Sequence, residues 1–358
     1  MSARGLVLYL SIFALFVASC ATTDHEFETI DIRKNTEFDK VIKIETIAEP
    51  VKPAKVEKPK RPKTKVKKSV KKKEEPKAKA PQKVSEKKDE AKSEPAPTKV
   101  VKPNLKKKST RMPKLEDDEG FDGRRPLVDP VRVGEELVLG ISYFAVEAGK
   151  LTMKVKPMVQ VNGRKAYHYQ YLIQTSSLFS MFYSVDDVAE AFVDYETLVP
   201  YSYEIHVDES KQKRETKTYF DWDKNVALMW DKKKQKGKPV EEKKVQWDIL
   251  KYSQNVFSVA YYLRAFTLEV GKELKVRVAH EGKNIIMTAK VIRKEKIFTD
   301  IGAFDTFVVS PRFDIDGKFK PTGENYLWLT DDERKFIVKM ESKIKIGSIM
   351  GKIQKIKK

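Results

Sequence analysis

Cysteine is almost absent from this chain: Cys20 is the only one in 358 residues. A single thiol excludes a disulfide framework and any Cys-x-x-Cys redox or zinc motif. Histidine is nearly as scarce, with His25, His168, His206 and His280 scattered along the sequence. There is no His-Glu-x-x-His, no Gly-x-Ser-x-Gly elbow and no phosphate-binding loop. No apolar run approaches the roughly 20 residues of a spanning helix. Aromatic residues are missing altogether between Phe38 and Phe121, and glycine is missing from 51–115. These gaps remove the usual signatures of metalloprotease, serine hydrolase and nucleotide-binding chemistry. They leave no catalytic constellation, no metal site and no cofactor to be read from motifs.

What is present begins at the amino end. Residues Leu6–Ser19 are almost wholly apolar and follow Arg4. The run suits a signal h-region better than a membrane span. The sequence Phe16-Val17-Ala18-Ser19-Cys20 resembles the lipobox of bacterial lipoproteins. That resemblance implies a signal peptide of residues 1–19, cleavage before Cys20, and acyl chains carried by Cys20 as the link to a membrane. Ala21 follows the cysteine where an Asp would retain such a protein at the inner membrane. The implied address is the outer membrane, with the chain facing the periplasm.

Charge then divides the chain. Residues 51–115 hold 25 Lys and Arg against 7 Asp and Glu, so most of the formal +20 lies in one segment. Nine of the 17 prolines lie there too. Low hydrophobicity with like charge leaves too little apolar burial to offset chain entropy. The expectation is a disordered Lys/Pro-rich tether over 20–125, extended and reaching on the order of 200 Å at most. Export removes nucleic acid as a partner for its lysines. An anionic envelope polymer, peptidoglycan or lipopolysaccharide, remains as a partner. So does a plain spacer held open by its own charge.

Residues 126–358 read as one β-rich domain. Leu137, Leu139 and Ile141 alternate with polar neighbours, as do Met153 and Val155, and Leu274, Val276 and Val278. Tyr167, Tyr169 and Tyr171 fall on one face, and Tyr201 and Tyr203 share another. Asn162-Gly163 signals a hairpin. Asp316-Gly317 marks a second turn. Period-two patterning on this scale predicts a large antiparallel sheet, curved or forming an open barrel. Asp248–Phe266 instead shows three-to-four spacing and predicts the one main helix, with Asp248 as its cap.

Ordered short motifs carry a family resemblance. Gly134-Glu135-Glu136-Leu137, Phe182-Tyr183-Ser184-Val185-Asp186-Asp187, Asp248-Ile249-Leu250, Gly302-Ala303-Phe304-Asp305 and Leu327-Trp328-Leu329-Thr330-Asp331-Asp332 occur in sequence. Together they resemble the bacterial family known as domain of unknown function 3108, over roughly 127–350. Phe336 stands where that pattern has proline. The resemblance implies an exported β-rich domain and supplies no reaction or ligand.

The candidate residues are modest. Asp186-Asp187 is the best carboxylate pair, but neighbours on a strand point to opposite faces. Asp331-Asp332 reads as a turn, and His168 and His206 read as strand-face residues. The tyrosine stripes Tyr167, Tyr169, Tyr171, Tyr201 and Tyr203 are the candidate ligand-binding surface, since tyrosine pairs an apolar body with a polar edge. The leading expectation is a non-enzymatic lipoprotein whose β domain binds or helps assemble an envelope component, its protein partner unnamed. Two alternatives stand beside it. One is a lipid or glycolipid carrier with an apolar cavity. The other is a glycan hydrolase with two carboxylates about 5–10 Å apart.

Overall fold

A computed structural model describes residues 35–47, 125–126, 128–315, 318–319, 324–344 and 346–358. The signal segment, Cys20, His25, the basic stretch 51–115 and the Asp316-Gly317 turn lie outside the described residues.

Among the described residues the first two elements are α1 (Thr36–Val41) and β1 (Ile44–Thr46). From β2 (Glu136–Tyr143) the chain runs through β3 (Val146–Val161) and β4 (Arg164–Thr175). A short α2 (Ser177–Ser180) leads to β5 (Asp186–Asp194), β6 (Pro200–Glu209), β7 (Gln212–Asp221), β8 (Val226–Gln235) and β9 (Glu241–Asp248). After α3 (Ser258–Tyr262) come β10 (Glu273–His280), β11 (Lys283–Thr299), β12 (Gly302–Ile315) and β13 (Lys318–Phe319). The last strands are β14 (Asn325–Thr330), β15 (Ile337–Lys343) and β16 (Ser348–Lys357).

All the strands join one sheet in the order β10-β11-β12-β14-β15-β16-β2-β3-β4-β5-β6-β7-β8-β9, with β1 on β3 and β13 on β12. Every pairing is antiparallel. The sheet is not closed, because β9 and β10 end the order. It coils enough for distant strands to touch: the Tyr203 hydroxyl on β6 lies 3.2 Å from His280 Nδ1 on β10. The expected mainly β, open antiparallel architecture is what forms.

The alternating residues explain the core. Leu137, Leu139, Ile141, Met153, Val155, Leu274, Val276 and Val278 are buried on the inner face. Asn162 and Gly163 take φ of 49° and 80°, the left-handed pair that a two-residue hairpin needs. Bulges then reverse faces. One between Lys156 and Val159 turns Val159 and Val161 outward. Another at Phe192/Val193 skips Tyr201 in the β5–β6 pairing. Tyr201 therefore packs in an outer cluster while Tyr203 packs in the inner core. The two tyrosines do not share a face, because one inserted residue shifts the period-two register.

That outer cluster receives a segment expected to be tether. Phe38 and Ile42, one helical turn apart, bury against Val159, Val161, Ala166 and Phe192. Burying two such side chains contributes about 1.5–3 kcal/mol each. The Asn35 side chain caps α1 by accepting from the Glu37 and Phe38 N–H groups. Trp230 Nε1 donates to Glu37 at 2.9 Å. Strand β1 pairs with Val159–Val161 of β3. Residues 35–47 thus fold onto the β domain, and the tether assignment of 20–125 is corrected there.

The helix is also shorter than its spacing predicts. Asp248 ends β9 instead of capping, and the helix is confined to α3 and a 3-10 turn at Leu263–Ala265. Gln254 explains the delay. Its N–H donates to Arg277 O and its carbonyl accepts from Ala279 N, at 2.8 and 2.9 Å. Those groups are committed to the edge of β10 and cannot join a helix. Asn255 then accepts from the Phe257 and Ser258 N–H groups and starts one.

Candidate functional site

The inner face is filled on one side and hollow on the other. Toward β5–β9, Tyr203, Phe220, Phe257 and His280 meet ring to ring at 5.9–6.2 Å. Toward β10–β16 and β2–β4 the side chains are mostly aliphatic and leave a cavity of about 240 Å³. Its walls include Ile141, Leu151, Met153, Ile173, Val278, Met287, Met340 and Ile349. Its floor is Val256, Phe257, Val259, Ala260 and Leu263 around α3. Small and flexible inward residues make the space. Gly351 lacks a side chain, and a Cβ there would meet Met340 Cγ at 2.6 Å. An apolar void of about 150 Å³ already stays dry and takes a benzene-sized guest, so a larger one suits an alkyl chain.

Polar groups gather at one end. Asn325, Tyr326, Glu341 and Ser342 line the cavity where the strands β14 begins and β15 ends. Ser342 Oγ donates to Asn325 Oδ1 at 2.8 Å. The Tyr326 hydroxyl donates to Glu324, which also pairs with Lys343 at 2.5 Å. Tyr326, Glu341 and Ser342 are half-buried, so the cavity reaches the surface there. An apolar interior with a hydrogen-bonding mouth matches a molecule with an alkyl tail and a polar head.

The opposite end of the sheet holds a buried charge cluster. Arg264, at the end of the helical segment, donates to both Glu135 oxygens at 2.6 and 2.9 Å and to Pro130 O at 2.7 Å. Arg334 donates to Glu135 at 2.7 Å and to Pro130 O at 2.9 Å. All three charged side chains are buried. Phe336 lies under both guanidinium groups, at 5.4 and 4.8 Å. Its N–H donates to Thr330 Oγ1 at 2.8 Å, a bond that a proline at this position could not make.

The tyrosine stripe divides between these regions. Of the five candidates only Tyr171 lines the cavity, and its hydroxyl is engaged by Phe257 O at 2.6 Å. Tyr169 stacks on Tyr261 at 4.0 Å, and Tyr167 donates to Asp129. Tyr201 donates to Asp194 in the outer cluster, and Tyr203 faces His280. Burial raises Tyr169 and Tyr171 well above the ordinary tyrosine value, so both stay neutral. The stripe mainly fastens α3 to the sheet.

The carboxylates do not converge. By strand register Asp186 and Asp187 sit at the polar-mouth end, whereas Asp331 and Asp332 follow β14 at the other. Asp186 accepts from Gln174, and Asp187 accepts from the Asp208 N–H. Asp331 pairs with Lys294, and Asp332 accepts from the Arg334 and Lys335 N–H groups. His168 and His206 pair with Glu190 and Glu215. His280 is fully buried, and desolvation lowers it to about 4. The cavity-lining residues were missed because no single motif marks them. Small inward positions such as Ala260 and Gly351, beside flexible Met340, were the available signal.

A family model described as a protein of unknown function, DUF3108, matches residues 140–354. Among solved structures, a β-barrel-like protein of the domain of unknown function DUF1849 from Brucella abortus is similar, at 12% identity and a TM-score of 0.41. The match covers 63% of this chain and 98% of that one. A candidate exported protein with a YmcC-like fold from Bacteroides fragilis is also similar, at 11% identity and a TM-score of 0.31. It covers 64% of this chain and 98% of that one. No curated protein matches the chain.

Proposed function

The chain belongs to the DUF3108 family, and from that premise we propose that it is a lipid-anchored envelope protein whose β domain binds the alkyl chain of an envelope lipid. Binding is non-enzymatic: the domain holds or hands on the lipid unchanged. The observation that carries this reading is the apolar cavity of about 240 Å³ with its hydrogen-bonding mouth. An apolar lining gives affinity through water-excluded area, and a few polar groups at the mouth orient the head. The lipobox-like run ending at Cys20 supports export, acylation and anchoring, and Ala21 supports sorting to the outer membrane. The lysines of 51–115 suit contact with an anionic envelope polymer such as peptidoglycan or lipopolysaccharide.

The test is lipid analysis of the full-length protein purified from its own membranes. After exhaustive detergent exchange the protein is denatured and extracted with solvent, and the extract is weighed by mass spectrometry. A stoichiometric, non-covalent lipid supports the proposal. An extract holding only trace lipid, at the level of an unrelated lipoprotein, would remove it.

A further inference from the structure

The apolar surface continues beyond the mouth of the cavity. Phe144 in the β2–β3 turn, Leu178, Met181 and Phe182 between β4 and β5, and Ile346 between β15 and β16 are each more than half exposed. Phe182 is the extreme at 81%. Their strand ends all lie at the mouth end, by the pairings of Tyr143 with Ile349, Gly149 with Thr175, and Lys343 with Ser348. The loops touch. The Tyr143 hydroxyl donates to Ile346 O at 3.0 Å, and the Ser176 N–H donates to Ala148 O at 2.9 Å. Phe144 and Ala145 hold φ of 48° and 62°, a conformation costly for a bulky side chain, and the turn still leaves the Phe144 ring in solvent. In a chain that is 35% charged, residues 176–185 carry no charge at all. A clustered apolar rim of this kind marks a binding surface.

The docked segment limits how far the rim can lie from a membrane anchor, although it joins β3 at Val159–Val161, the end of that strand away from the rim. Only residues 21–34 separate Cys20 from Asn35, the cap of α1 on the β domain. Fourteen residues span about 50 Å at full extension, and a ten-residue strand is about 33 Å long. A domain anchored through Cys20 is therefore held within about one and a half such strand lengths of its own bilayer. The 51–115 stretch adds nothing to that reach, because it lies beyond the docked segment in the chain. This step rests on the proposed acylation of Cys20.

We propose that the open end is a membrane-docking surface. The rim side chains enter the headgroup and upper acyl region of the leaflet, a depth of roughly 5–10 Å for such interfacial groups. The cavity mouth then faces the leaflet, and a lipid chain passes between the two without crossing water.

The experiment places a single dye at the rim. The full lipidated chain carrying Met181→Cys is reconstituted in phosphatidylethanolamine–phosphatidylglycerol vesicles and labelled with bimane. A second chain carries Asp223→Cys, an exposed position in the β7–β8 turn at the opposite end. Both positions are exposed, so neither substitution disturbs the core. Blue-shifted emission at 181, quenched at least twofold by lipids spin-labelled in the acyl chain, with aqueous emission at 223, is expected. Aqueous emission at both positions overturns the proposal. Adding Leu178→Ser and Phe182→Ser to the Met181→Cys chain should abolish the quenching, and unchanged quenching would also overturn it. The parent chain is labelled in parallel. Because Cys20 is the only native thiol, dye uptake there would sink the acylation reading alone. The contrast between 181 and 223 on vesicle-bound protein would still decide the rim.

Discussion

At one end of the sheet Arg264, Arg334 and Glu135 are buried in mutual contact, and at the other Phe144, Leu178, Met181, Phe182 and Ile346 stand in solvent as an apolar rim beyond the polar mouth. A buried ion cluster contributes little net stability over a hydrophobic core, yet removing one partner strands a charge and is strongly destabilising. It therefore fixes geometry, here by clamping the end of the helical segment against the residues before β2 and after β14. Exposed apolar side chains do the reverse. They add nothing to folding and gain by meeting a partner. On the proposed function, the contrast separates stability from binding along the strand axis. The floor of the cavity joins the end that carries the ion cluster, and its opening lies at the end that carries the exposed apolar residues.

The sharpest way to break that contrast is at the end that carries the ion cluster. Glu135→Ala leaves two buried arginines without their carboxylate and should cost about 3–5 kcal/mol, read as a fall in the urea midpoint. A loss below about 1 kcal/mol would mean that the cluster is not a clasp.

The next effect is in pH dependence, and it belongs to the open end. Burial, with the charge of Glu209 second, raises Asp187 from 3.8 to about 7. The folded state therefore holds this proton more tightly than the unfolded chain between those values. Stability is greatest near and below pH 4 from this group and falls as pH rises toward 7, by up to about 1.4 kcal/mol per unit. Asp187→Asn should flatten that slope and stabilise the protein at pH 8 by about 2 kcal/mol, measured by urea titration at several pH values. Its remaining carbonyl can still accept from the Asp208 N–H. A slope unchanged in the variant would place the titrating group elsewhere.

The smallest expected effect is at the rim itself. Phe182→Ser should change stability by less than about 0.5 kcal/mol, although a large aromatic is lost. Thermal melts check this, and a loss above about 1 kcal/mol would show that the ring packs instead of standing free.

Periodicity made the sheet legible, because inner-face burial imposes alternation on residues such as Leu137, Leu139 and Ile141. It misplaced Tyr201 because a bulge, which leaves no mark in composition, reverses every later side chain. It overextended the helix because Ile249, Leu250 and Ser253 have helical spacing while the backbone of Gln254 is taken by β10. Phe38 and Ile42 are four apart and were hidden by their setting: two apolar residues before a long charged run carry little weight until a partner surface is known. The cavity was the least legible feature. A void is the absence of side chains at positions that come together only when β2–β4 and β10–β16 face one another.

The cavity reading is tested most directly by a photoreactive fatty acid, activated in membranes bearing the full chain, with adducts mapped by mass spectrometry. Ala260 lies on the cavity floor, and Ala260→Trp fills the space beside α3. Adducts on cavity residues such as Leu151, Val278 and Met340, reduced at least tenfold by Ala260→Trp, are the expected result. Adducts confined to the outer surface, or cavity adducts that Ala260→Trp leaves unchanged, would contradict it.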